Sequence, residues 1–140
     1  AEAGLARRVA ALAGLPPAAA VAGRTGLLDL ARAVAAAARL VSGDTGIAHL
    51  ATALGTPSVV LFGPTPPALW GPPAGAGRHV ALWAGRAGDP HGARPDPGLL
   101  RIGVEQVLAA LAGLPDATGS AASPGAVPRR SAMLYSCPDE

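Results

Sequence analysis

Along the first stretch of the chain, between Glu2 and Ala13, the apolar positions Leu5, Val9, Ala10 and Leu12 recur with helical spacing around the polar pair Arg7 and Arg8, and Gly14 followed by Pro16 closes the segment. The pattern predicts a surface helix. The apolar run Ala18 to Ala22 predicts a buried strand, after which Thr25 is placed to cap a second helix, Gly26 to Arg39, with Leu27, Leu30, Val34 and Ala38 on one face. Leu40 and Val41 read as a brief strand that stops at Ser42-Gly43. Asp44 or Thr45 then caps a third helix, Gly46 to Leu54, which Gly55 ends.

The strongest strand signal follows. Thr56-Pro57 opens it, Ser58 to Phe62 runs Ser-Val-Val-Leu-Phe without helical period, and Gly63-Pro64 closes it, a short β-rich run with both faces apolar as a central parallel strand requires. His79 to Trp83 is a weaker strand, 84 to 98 a loop without periodicity, and Val104 to Leu111 a last amphipathic helix. Strands alternating with helices imply an α/β fold, a Rossmann-like parallel sheet with helices on both faces and right-handed crossovers. The expected organisation is one such domain, partial, over 1–113 and a disordered Pro/Ser/Gly-rich tail over 114–140.

Composition narrows the partners. Ala carries most of the apolar share, so helices pack through small side chains. All 11 basic residues are Arg, with no Lys and no Asn, which is a coding bias toward GC-rich codons rather than chemistry. The formal charge of +2 is scattered, so the basic patch of a nucleic-acid binder is missing and no nucleic-acid partner is expected. A lone Cys137 makes no internal disulfide, and Gly, Pro, Asp or Arg interrupts every apolar run short of a membrane span. Those features suit a cytoplasmic domain. The chain opens on Ala1-Glu2-Ala3 without an initiator Met, as a truncated reading frame would.

Chemistry concentrates between Val41 and Thr65, in the order strand, Gly-bearing turn, helix, strand. Such a turn delivers Asp44 to the carboxyl edge of the sheet, where open α/β sheets bind ligands, and leaves the N–H groups of Thr45, Gly46 and Ile47 facing out at a helix start that favours an anion. His49 lies about one helical turn beyond Thr45, so its ring returns to the same mouth; Gly46 allows close approach, and Asp44, an acceptor when ionised, suits sugar hydroxyls. The same Asp-Thr-Gly is also an ordinary capped turn when taken in isolation. Asp89, His91 and Asp96 fall in a loop without zinc-type spacing, so no metal is expected.

Taken whole, Asp44-Thr-Gly-x-x-His-Leu-Ala-x-Ala-Leu-Gly-x-Pro, then an apolar strand and Phe-Gly-Pro-Thr65, resembles the signature of the heptosyltransferases, glycosyltransferase family 9. The resemblance is most specific from about Gly23 to Pro73. It implies the carboxyl-terminal, donor-binding half of a GT-B fold, here incomplete, in an inverting enzyme that transfers a sugar from a nucleotide-diphosphate donor, ADP-heptose by family analogy, to a lipopolysaccharide-type or other surface-glycan or lipid-linked acceptor. It further implies that Asp44, Thr45, Gly46 and His49 contact the donor's sugar and diphosphate, with Thr65, Thr25 and Glu2 as secondary candidates. No cofactor is implied.

The general base is expected in a missing amino-terminal domain, leaving this chain inactive alone; that domain would also give peripheral association with the inner face of the plasma membrane. Two other readings compete. One is a non-catalytic nucleotide- or phosphate-binding module; the other is a small hydrolase using His49 and Asp44, for which Ser42 and Thr45 lack a nucleophile setting.

Overall fold

The computed structural model describes residues 2–73 and 77–116. These fall into two compact units, one ending at Ala37 and one beginning at Ala38. The expectation of a disordered tail lies, from residue 117 onward, outside the described residues.

The first unit opens with α1, Glu2–Leu12. Its buried positions are Ala6 and Ala10, one turn apart, which meet Ala20 and Ala22 with Leu15 against them. Leu5, Val9 and Leu12, part of the predicted apolar face, are exposed instead. Alanine wins the inward face because it lets the following backbone approach closely, which a Leu at the same place would prevent. Gly14, at φ 65°, turns the chain out of the helix while Leu15 N–H reaches back to Ala10 O at 2.8 Å.

The strand predicted over Ala18–Ala22 is not formed. Pro17–Ala19 is a 3₁₀ turn, closed by Ala19 N–H and Ala20 N–H to the carbonyls of Pro16 and Pro17, and only Ala20 makes an isolated bridge. Pro17, with its φ already fixed, starts the 3₁₀ turn in its place, and alanine has little strand preference to oppose it. Helix α2 spans Leu27–Ala36, shorter than predicted at both ends: Gly26 rather than Thr25 is the cap, without a side-chain bond, and Ala37 is already extended. Of the predicted face only Val34 is buried; Leu27 is largely exposed.

The second unit is built on three parallel strands, β1 (Leu40–Gly43), β2 (Ser58–Phe62) and β3 (His79–Trp83), in the order β1-β2-β3. The register sets Gly43 against Leu61, Val60 against Ala81 and Phe62 against Trp83. Helix α3, Gly46–Leu54, returns from β1 to β2 and ends at Gly55, whose φ of 70° is the left-handed conformation a helix end of this kind needs. Ala48 of α3 packs on Val60 and Phe62, with Ala81 beside them. Val59, pointing to the opposite face, is 0% exposed, so β2 is covered on both sides, as a central parallel strand must be.

Two short elements were not legible in the sequence: a four-residue helix α4, Pro67–Trp70, and a 3₁₀ turn, Leu99–Arg101. The last helix, α5, Val104–Gly113, also packs on β2. Its exit is held by Arg39, whose guanidinium donates to Leu114 O at 3.0 Å, and Leu114 is buried. No helix among the described residues is long and apolar enough to cross a membrane.

Candidate functional site

Strands β1 and β2 leave the sheet side by side at their carboxyl ends, one into Asp44-Thr45-Gly46 and the other into Gly63-Pro64-Thr65. Thr45 is the residue before α3, extended at φ −145° and ψ 174°, and its side chain makes no capping bond. Only its carbonyl is used locally, accepting Ala48 N–H at 2.9 Å. The N–H groups of Gly46 and Ile47 therefore have no partner among the described residues, and neither does the Thr45 hydroxyl. This is a nine-residue helix whose positive end is uncapped. A substituent on Gly46 would meet nothing within 4 Å, so the approach to these amides is open.

Two side chains flank the opening. Asp44 is half-buried and its carboxyl is raised above the ordinary carboxylate value, chiefly because burial penalises the charged form; the nearby His49 ring opposes this. His49 lies in the first turn of α3 and is exposed. Beneath the turn, Ser42 Oγ is buried without a hydrogen-bond partner among the described residues. The edge thus combines amide donors, a hydroxyl, an imidazole and a carboxylate, which is chemistry for an anion joined to a hydroxyl-bearing group.

The neighbouring turn is held from above. Gly88 N–H donates to Pro64 O at 3.0 Å, and Trp83 Nε1 donates to both Gly63 O at 3.1 Å and Arg86 O at 3.2 Å. Gly63 is buried, and a Cβ there would sit 3.5 Å from Asp96 Cβ. Thr65 is half-buried in this turn and makes no hydrogen bond among the described residues. Asp96 and Asp89, in the loop without zinc-type spacing, are occupied in turns: Asp96 Oδ1 accepts from Gly98 N–H and Leu99 N–H, and Asp89 Oδ1 from His91 N–H.

The structure brings Asp44, Thr45, Gly46 and His49 together on one turn and the helix after it, with Thr65 at the end of the adjacent strand. Glu2 and Thr25 belong to the amino-terminal unit, Glu2 in the first turn of α1 and Thr25 just before the cap of α2. An open, largely apolar cleft of about 450 Å³ in that unit, with Arg7 and Arg24 on its wall, includes none of these candidates. Its volume is no guide to the chemistry, because the polar groups converge at the sheet edge of the other unit.

The family model of glycosyltransferase family 9 (heptosyltransferase) matches residues 1–91 of the 140. The chain belongs to that family. The family 9 match takes in α1 through β3, and so includes the whole Asp44–Thr65 segment and the strands that carry it. It ends inside the loop that follows β3, before α5. No curated protein and no solved structure matches this family 9 chain.

Proposed function

We propose that this family 9 chain is the donor-binding, carboxyl-terminal half of an inverting GT-B glycosyltransferase, and that the uncapped start of α3 receives the diphosphate of a nucleotide-linked sugar. The observation that carries the reading is the pair of open amides at Gly46 and Ile47, with Thr45 and His49 alongside, on the ligand-binding edge of a parallel sheet. The family supplies the class of reaction. In this reading the donor carries a heptose, on ADP by family analogy, and the acceptor is a lipopolysaccharide-type or other surface glycan. The work is cytoplasmic, at the inner face of the plasma membrane, and takes no cofactor.

The roles follow from charge. As the bond between the anomeric carbon and the diphosphate oxygen breaks, negative charge grows on the diphosphate, and the Gly46 and Ile47 amides, the Thr45 hydroxyl and the His49 ring are donors fixed in advance to receive it. Asp44 cannot serve that charge when ionised. It accepts instead from a hydroxyl of the sugar. The base that takes the acceptor's proton belongs to the other half of the enzyme, so the chain alone binds nucleotide and does not transfer. Sugar transfer by the isolated chain in a donor-turnover assay would overturn the half-enzyme assignment.

Calorimetric titration with a nucleoside diphosphate tests the roles. A hydrogen bond to a charged group contributes roughly 1.5–3 kcal/mol, so His49→Ala weakens binding about ten- to a hundredfold. Asp44→Asn removes a negative charge beside the phosphates and leaves nucleotide affinity equal or slightly higher, while use of the sugar donor by the intact enzyme falls. An affinity for His49→Ala within about twofold of the unmodified chain, far short of the 1.4 kcal/mol of a tenfold change, makes His49 a surface residue of α3 and nothing more.

A further inference from the structure

Trp83 is the last residue of β3, and nothing in the donor chemistry above uses it. Its register partner is Phe62, and paired residues of parallel strands project to the same face. Phe62 lies in the cluster with Ala48 of α3, as does Val60, whose partner Ala81 packs there too. Trp83 therefore stands on the face that α3 covers, at the same carboxyl edge where α3 begins. Unlike Ala81, it is 36% exposed.

The ring is also fixed. Its one donor, Nε1, is shared between Gly63 O and Arg86 O, so the backbone orients the indole and its single polar group is already engaged. The other tryptophan, Trp70, is 63% exposed on the four-residue helix α4 and has no such bond among the described residues. An aromatic surface held by two backbone carbonyls, open to solvent at a ligand-binding edge, is ready for a flat apolar face without further ordering. Asp44 stands on the same edge with a carboxylate that accepts from hydroxyls, whereas Asp96 of the neighbouring loop is already engaged by Gly98 N–H and Leu99 N–H. A ring with an apolar C–H face and hydroxyls at its rim matches an aromatic face on the same edge as a carboxylate acceptor.

We infer that Trp83 is a stacking platform for a pyranose ring, either the sugar of the donor or a residue of the acceptor glycan. The inference rests on the reading of this edge as the donor site. A Trp70→Phe chain leaves Trp83 as the single fluorophore of the two tryptophans. Its emission is followed on titration with ADP and UDP, with each as its glucose conjugate, and with a mannose oligosaccharide in the presence and absence of the nucleoside diphosphate.

A change with the conjugates and not with the bare diphosphates assigns the donor sugar. A change with the oligosaccharide alone assigns the acceptor. For the sugar that signals, Trp83→Leu lowers affinity about three- to tenfold and leaves that of the bare diphosphate within about twofold. Trp83→Phe restores most of the loss, which a role confined to holding Gly63 O would not allow, since Phe has no donor. Emission unmoved by every sugar overturns the platform even where the diphosphates bind. Absent diphosphate binding with a retained oligosaccharide signal overturns the donor reading and keeps the platform.

Discussion

Ser58 and His79 begin β2 and β3 at the end of the sheet opposite the candidate site, with the Ser58 hydroxyl 2.9 Å from Nδ1 of His79. Ser58 is fully buried, and His79 is lowered below its ordinary value of 6.5, first by burial and then by neighbouring Arg78. The neutral ring accepts from the hydroxyl; the charged ring cannot. Because the folded value is depressed, the folded state binds fewer protons than the unfolded chain, so this stability is full above 6.5 and is lost as pH falls through the folded value. Denaturant midpoints measured from neutral pH downward should fall there, and His79→Gln should flatten that portion of the curve. An unchanged slope in the variant would assign the acid sensitivity elsewhere. The pair illustrates what the sequence conceals: Ser58 and His79 are 21 residues apart and meet only through the register of two strands. Asp44, Thr45 and His49 were legible because one turn and one helix hold them in a single short run.

At the scale of elements, punctuation was the readable signal. Gly43 closes β1, and glycine or proline flanks α3, β2 and β3, and their predicted cores coincide with the observed ones because these breakers agree with the apolar runs between them. Ala18–Ala22 carries no such agreement, since an alanine run fits strand, helix or turn, and Pro16-Pro17 decided it. Leu5, Val9 and Leu12 misled for a related reason, because in so alanine-rich a chain the close-packed face is the one made of small residues. Gly55 gives a measurable case of punctuation. A Cβ at Gly55 would meet nothing within 4 Å, so Gly55→Ala tests the left-handed backbone alone and should cost about 1–2 kcal/mol in denaturant unfolding. Gly113→Ala, equally uncrowded and at the end of α5 without a positive φ, should be neutral or slightly stabilising. Equal effects at the two positions would mean that backbone handedness is not what Gly55 contributes.

For the molecule as a whole, one short stretch does two jobs. The segment from Leu40 to Phe62 is at once the middle of the carboxyl-terminal unit's core and the carrier of the proposed donor site, so family membership and fold were readable from the same residues. The residues flanking that edge were not, because some, Trp83 among them, come from a strand outside that segment. The uncapped start of α3 has a bench consequence. An N-cap bond that a side chain could have made is typically worth about 1 kcal/mol, and here an ion from the medium is free to supply it. Buffer composition then becomes a structural variable. A site that holds phosphate or sulfate with a dissociation constant of about 10 mM adds about 1 kcal/mol at roughly 50 mM anion, or about 4–8 °C of melting temperature in a domain of this size. Melting scans in phosphate, sulfate and chloride at matched ionic strength should separate by that amount, and Gly46→Pro, which removes one of the two amides, should bring the curves together. Purification in a chloride-only buffer would handle the protein in its least stable form.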